Sequence, residues 1–189
     1  MKKILLPLIF ITSLLSCKDK EASAPDPNSP LEIEIFRLDN LTSSTPFNSR
    51  EELAAAVIEG LNQNDLDKLA SLLVSGDFYE EYIYPQTQEG LSSNALPGKE
   101  FYNMMIKTRR MNHLLTWFEE LKSKKIELLS LQKPIKSTQV GSFTFHKYNP
   151  MEYEITDIET GTQSTIVDNR LLGIIIERNE KFFWLNVFD

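Results

Sequence analysis

Residues 49–78 read SREELAAAVIEGLNQNDLDKLASLLVSGDF, a pair of helices written out with their caps. Ser49 with Glu52 three positions on is a capping box, and Leu53, Ala56, Val57 and Leu61 recur behind it at helical spacing. Gly60 and Asn62-Gln63 mark the end of this helix. Asn64 can cap a second one, with Asp67 favourable near its amide end and Leu66, Leu69, Ala70 and Leu73 as its buried stripe. Ser75-Gly76 closes it.

Downstream, Phe78 to Pro85 is an aromatic-rich strand or turn, residues 86–98 form a polar loop, and residues 99–123 form a long helix. The stripe of that helix is Phe101, Met104, Met105, Thr108, Met111, Leu115 and Phe118, broadened by Leu114, Trp117 and Leu121. From Ile126 the period changes to two. Strands are expected over 127–132, 139–148, 151–158, 163–167, 170–178 and 181–188. Tight connections at Asn149-Pro150, Gly161, Asp168-Asn169 and Asn179-Glu180 imply consecutive antiparallel pairing. Upstream, Leu31 to Leu38 (LEIEIFRL) alternates as a short half-buried strand does. Helices first and strands after define an α+β domain over residues 31–189: three helices packed on a curved antiparallel sheet, preceded by a short extra strand. Leu171 to Ile176 is apolar on both faces apart from Gly173, so that strand needs cover on both sides. The helices supply one cover; the Leu31 to Leu38 segment or a second subunit would supply the other, which opens the possibility of a homodimer through the sheet.

A length of 189 residues fits one domain with appendages. The 41% hydrophobic and 25% charged fractions exclude a disordered chain, a collagen-like chain and a polytopic membrane protein. Against 27 acidic residues there are 20 basic ones, and the net charge of −7 argues against nucleic-acid binding, which needs positive charge to meet phosphate. One cysteine makes neither an internal disulfide nor a cysteine-cluster metal site. Its position says more than its number.

Met1-Lys2-Lys3 followed by the apolar run Ile4 to Leu15 has the layout of a secretory signal peptide. As a helix that run would span about 18 Å against roughly 30 Å of bilayer core, too short to cross. It ends Leu14-Leu15-Ser16-Cys17, which resembles the lipobox of bacterial lipoproteins, with Leu15 bulkier than the usual small residue. The resemblance implies cleavage before Cys17, diacylglycerol on its sulfur and an acyl chain on its new amino group. Residues 1–16 are then a discarded signal peptide. The mature chain carries 18 basic against 27 acidic residues, so at −9 it relies on lipid and not on a basic patch for attachment. Lys18 to Pro30, KDKEASAPDPNSP, holds three prolines and no large apolar residue. It reads as a disordered tether, residues 17–30 with the lipidated cysteine, whose thirteen residues reach at most about 43 Å. Lys18 in place of aspartate after the cysteine favours the outer membrane by the same resemblance. The KDKE run also looks like the surface-export signals of some Bacteroidetes lipoproteins, which leaves the periplasmic and surface faces both open.

The helix pair also resembles the opening of the nuclear transport factor two-like superfamily, also called SnoaL-like, through Asn62, Asp65, Leu66, Asp67, Leu69 and Asp77-Phe78. The ending RLLGIIIERNEKFFWLNVF is similar to the final hairpin of that superfamily, with Trp184 on the last strand. The extra segment ahead of the first helix, the length of the third helix, and Lys181 where a turn glycine is common depart from the pattern. The resemblance implies a cone-shaped domain, a bent sheet wrapped on helices with a cavity at its wide end, in a superfamily of binders and some enzymes.

Chemistry-bearing signals are few. His113 sits mid-helix and His146 on a half-exposed strand position, neither with neighbours at ligand spacing, so no metal site and no cofactor is expected. No phosphate loop, dinucleotide turn or Ser/His/Asp signature is present. Tyr79, Tyr82 and Tyr84 are possible phenol donors with Asp77 nearby, though aromatic packing accounts for them equally. Lys107, Arg109 and Arg110 form a basic spot on a solvated helix face. Tyr82, Tyr84 and Trp117 are the candidate ligand-binding residues. The sequence thus favours a lipid-anchored envelope protein whose domain binds a small apolar ligand or a protein partner. An isomerase- or lyase-like enzyme working in a conical cavity, and a structural dimerisation module, are the alternatives.

Overall fold

The computed structural model describes residues 29–186. The expected signal peptide, Cys17, most of the expected tether, the last two residues of the final expected strand and Asp189 lie outside them.

The chain does not enter the domain as a strand. Residues Pro30–Leu41 form helix α1, capped by Ser29, whose Oγ accepts from Glu32 N at 3.2 Å, with proline in the first turn. The alternation of LEIEIFRL suggests a strand, but helical spacing selects Ile35 and Leu38 for burial, while Ile33 and Phe36 stand 58% and 62% exposed. A half-buried strand would have hidden Ile33 together with Ile35.

Helix α2 (Arg50–Asn62) follows the capping box as expected, and Ser49 Oγ accepts from Glu52 N at 3.0 Å. Helix α3 (Leu66–Ser71) is capped by Asp65 and not by Asn64, which takes a left-handed φ of 51° and turns the chain. The two helices close on each other at Gly60, where a Cβ would meet Leu69 at 2.8 Å. Asn62 fastens the end of α2 to the sheet: its side-chain amide donates to the Ile126 carbonyl at 2.8 Å and accepts from Ile126 N at 2.7 Å.

The aromatic segment is helical and not a strand. Helix α4 (Gly76–Phe78) runs into a π turn, Tyr79–Ile83, and a 3-10 turn, Tyr84–Gln86. The long helix is likewise continuous but uneven: α5 (Gly98–Phe101), a π stretch (Tyr102–Lys107) and α6 (Thr108–Leu121). From Met111 onward the expected stripe faces the core, with Met111, Leu114, Trp117 and Leu121 buried and Leu115 and Phe118 half-buried against it. Ahead of it Tyr102 turns inward, and Met104 and Met105 are 69% and 56% exposed.

Seven strands follow: β1 (Lys124–Leu131), β2 (Lys136–Val140), β3 (Phe143–Lys147), β4 (Met151–Asp157), β5 (Gln163–Asp168), β6 (Ile174–Arg178) and β7 (Lys181–Asn186). The domain is α+β, with two antiparallel sheets in the orders β1-β4-β5 and β2-β3-β6-β7, in place of one curved sheet. The expected strand over 139–148 is the β2–β3 hairpin, broken at Gly141-Ser142 with Gly141 at φ 57°, as a two-residue turn with glycine first requires. Asn179 and Glu180, both at positive φ, make the β6–β7 turn. Pairing is consecutive only within hairpins. The chain crosses between sheets over 132–135, over 148–150 and again over 169–173, which is why β1 pairs β4 and β3 pairs β6. Asn149 is buried at this seam and donates to the carbonyls of His146 and Gly173.

Alternate residues of β6 and β7 serve two cores. Ile175 and Trp184 join α1, α2, α3, α6 and the inner face of the β1-β4-β5 sheet. Ile176, Phe183 and Leu185 join Tyr79, Ile83, Tyr84, Tyr102, Phe143 and Phe145. The chain itself therefore covers both faces of β6. Its second cover is the aromatic turns, and α1 lies with the other helices.

Candidate functional site

The candidate ligand residues separate. Tyr82 is largely exposed, its ring 5.0 Å from Phe78 with the Arg178 guanidinium 5.6 Å from its centre. Tyr84 is buried against Phe101 at 4.9 Å, and its hydroxyl donates to the Leu96 carbonyl at 2.7 Å. Trp117 lies in the other core beneath the Arg170 guanidinium. No shared hollow gathers these three among the described residues. His146 accounts for itself structurally: Ser137 Oγ lies 2.9 Å from its Nδ1 and Glu177 Oε2 2.9 Å from its Nε2, so it links β2, β3 and β6. Among the described residues no group of three or more His, Cys, Asp or Glu side chains is placed to hold a metal ion. No helix among them is long and apolar enough to cross a membrane.

The polar constellation that the fold does assemble is elsewhere. Arg110, expected on a solvated face, is completely buried. Its Nη1 donates to the Val74 carbonyl at 2.5 Å, and its Nη2 donates to Asp39 Oδ1 at 3.0 Å and to the Tyr102 hydroxyl. The Tyr102 hydroxyl in turn donates to Asp39 Oδ1, and the guanidinium lies 4.9 Å from the centre of the Tyr102 ring. Burial pushes the Tyr102 phenol well above its ordinary value; the Arg110 charge opposes that rise and Asp39 adds to it. Tyr102 therefore acts here as a neutral donor and Arg110 as the charge that holds the Asp39 carboxylate.

Three segments position these groups. The last turn of α1 carries Asp39, the π stretch turns Tyr102 inward, and the first turn of α6 carries Arg110. Gly76 lets the Tyr102 ring approach, since a Cβ there would lie 2.8 Å from it.

Above this triad is an open cleft of about 360 Å³. Asp39 and Tyr102 form its floor, Asp77 and Glu80 stand on the α4 side, and Lys99 and Lys107 on the long-helix side. A side chain 15% exposed leaves Asp39 in reach of solvent, and both of its bonds fall on Oδ1, so Oδ2 is the atom open to a bound donor. Asp77, a carboxylate near the tyrosines in sequence, belongs to the lining of this cleft. The sequence carried one signal for the site, an acid in the last turn of a helix, and the false strand at 31–38 concealed it.

Compared with known proteins, the chain matches no family model, no curated protein and no solved structure.

Proposed function

We propose that this is a lipid-anchored cell-envelope protein whose α+β domain binds a small polar ligand bearing a cationic or hydroxyl donor. The observation that carries the binding half is Asp39, fixed from below by Arg110 and Tyr102 and open to a cleft of ligand size. A carboxylate held by a buried guanidinium does not reorganise when a ligand arrives, so little is lost in ordering it. Asp77 and Glu80 give the cleft an acidic side, which suits an amine; Phe36 and Tyr102 offer apolar surface to the rest of the molecule. The expected apolar ligand gives way to a polar one because the inner face of the β2-β3-β6-β7 sheet is filled by aromatic side chains.

The lipobox-like Leu14-Leu15-Ser16-Cys17 supports the anchor, and Lys18 supports the outer membrane. Kinship with the SnoaL-like fold is part of the same reading. It is supported by the Asn62 to Leu69 step between α2 and α3 and by Trp184 buried on the last strand. Tyr84 already donates its hydroxyl to Leu96, which favours the binding role over phenol-assisted catalysis.

A thermal-shift screen of the full chain in detergent against small amines and amino sugars tests the binding half. Hits should raise the melting temperature, and Glu80→Gln should weaken them without lowering the melting temperature of the free protein. Hits indifferent to both Glu80→Gln and Asp77→Asn would move the ligand out of this cleft. For the anchor, Cys17→Ala should abolish labelling by palmitate, and unchanged labelling would refute it.

A further inference from the structure

The outward side of α1 carries two large apolar side chains that nothing among the described residues covers. Ile33 and Phe36 are each more than half exposed, although the helix already packs into the core through Ile35 and Leu38. Ile33 and Phe36 are three residues apart and so share a side of the helix. A surface hollow of about 290 Å³ runs along it, lined by Glu32, Ile33, Ile35, Phe36 and Lys107. The Lys107 ammonium lies 5.6 Å from the centre of the Phe36 ring. Aromatic and aliphatic side chains beside a long-stemmed cation are the composition of a segment that lies in a membrane interface, with the rings among the upper acyl carbons and the ammonium at the phosphates.

Chain connectivity identifies the occupant. α1 begins at Pro30, thirteen residues after Cys17, and those thirteen residues reach at most about 43 Å. We propose that the Ile33 and Phe36 side of α1 docks on the lipid surface to which Cys17 holds the chain. The inference rests on the lipid anchor of the preceding subsection. Two apolar side chains would not hold a free protein to a bilayer, but a short tether makes the encounter intramolecular, at an effective concentration in the millimolar range. Every anchored molecule brings α1 to the lipid whatever its abundance, which distinguishes the bilayer from a second copy as partner. Phe36 and Lys107 also line the cleft above Asp39, so docking would set the mouth of that cleft beside the headgroups.

The mature chain would have no free thiol once Cys17 is acylated, so a nitroxide can be placed at one introduced cysteine of the full lipidated protein. Phe36→Cys and Ile33→Cys change exposed side chains, and Glu159→Cys, in the β4–β5 turn, is the reference. On phosphatidylethanolamine–phosphatidylglycerol vesicles, labels at 33 and 36 should lose accessibility to an aqueous nickel relaxant and become more accessible to oxygen, while the label at 159 stays open to both. Protein that floats with the vesicles while position 36 is as open to nickel as position 159 would overturn the docking and leave the anchor standing. Protein that does not float would overturn both. Protection of position 36 in the Cys17→Ala background, in buffer without vesicles, would assign the surface to a second copy and also overturn the proposal.

Discussion

Asp39 lies in the last turn of α1, where the helix dipole disfavours a carboxylate, and no basic residue of that turn offsets it. Its compensation comes from Arg110, 71 residues away in the sequence. This explains why the site was hard to read: Arg110 follows Arg109 and Lys107, so local sequence shows a basic spot, and nothing local marks one of the three as buried. Removing one member of such a pair leaves the other without its partner, at a cost of about 3–5 kcal/mol, whereas an apolar pair of similar volume is often neutral. Asp39→Leu, which leaves a fully buried guanidinium, should therefore lower the urea midpoint more than Arg110→Met, and the double variant should recover most of the loss. Additive losses would mean that the pair is not coupled. The buried phenols give a second prediction. Burial, with Glu89 nearby, pushes Tyr79 up to about 12, burial with Asp168 does the same for Tyr153, and Tyr102 is raised as well. The unfolded chain releases these protons near pH 10 while the folded one keeps them. Stability from this source is complete below about pH 10 and is lost as pH rises toward 12, because the unfolded state then binds fewer protons. Urea midpoints measured between about pH 9 and pH 11 should fall, and Tyr153→Phe should flatten the fall.

Among the elements, α2, the position of α3 and the strand-rich character of the second half were legible from periodicity and turn residues, though the cap of α3 falls one residue later than Asn64 and the strands divide between two sheets. α1 was not, because LEIEIFRL satisfies a period of two as well as a helix with Ile35 and Leu38 inward. Ser29 and Pro30, a cap and a first-turn proline, are the deciding signals, and they fall in the stretch that composition assigns to the tether. The helix makes its own prediction: Ile35→Ala and Leu38→Ala should each cost about 2–5 kcal/mol in urea unfolding, and Ile33→Ala almost nothing, whereas a strand would make Ile33 costly too. The long helix was legible from Met111 onward only, since the π stretch shifts the register ahead of it and leaves Met104 and Met105 outside. The hairpin turns at Gly161 and Asn179-Glu180 were readable because glycine and asparagine permit positive φ, whereas the turn at Gly141-Ser142 falls inside the strand expected over 139–148. Glu180, at φ 59°, is neither glycine nor asparagine, and Glu180→Gly should stabilise the protein by up to about 1 kcal/mol, read as a higher denaturant midpoint.

At the scale of the molecule, the two cores meet across β6, whose Ile175 and Ile176 face opposite ways, and the two sheets meet at Asn149. Residues at the seam come from three distant stretches of chain, so no local pattern announces that the strands divide into two sheets. The division matters for the proposed site, because aromatic turns pack on the inner side of the larger sheet, and the proposed ligand cleft lies between α1, α4 and the π stretch. That stretch also has a genetic reading. A π turn is an α-helix with one residue too many, so a single inserted codon suffices to create it. Deleting one residue between 103 and 107 would rewind the helix by about 100° on its amide side and carry the Tyr102 phenol away from Arg110 and Asp39. Descendants of an ancestor without that codon would share the fold and lack the floor of the cleft.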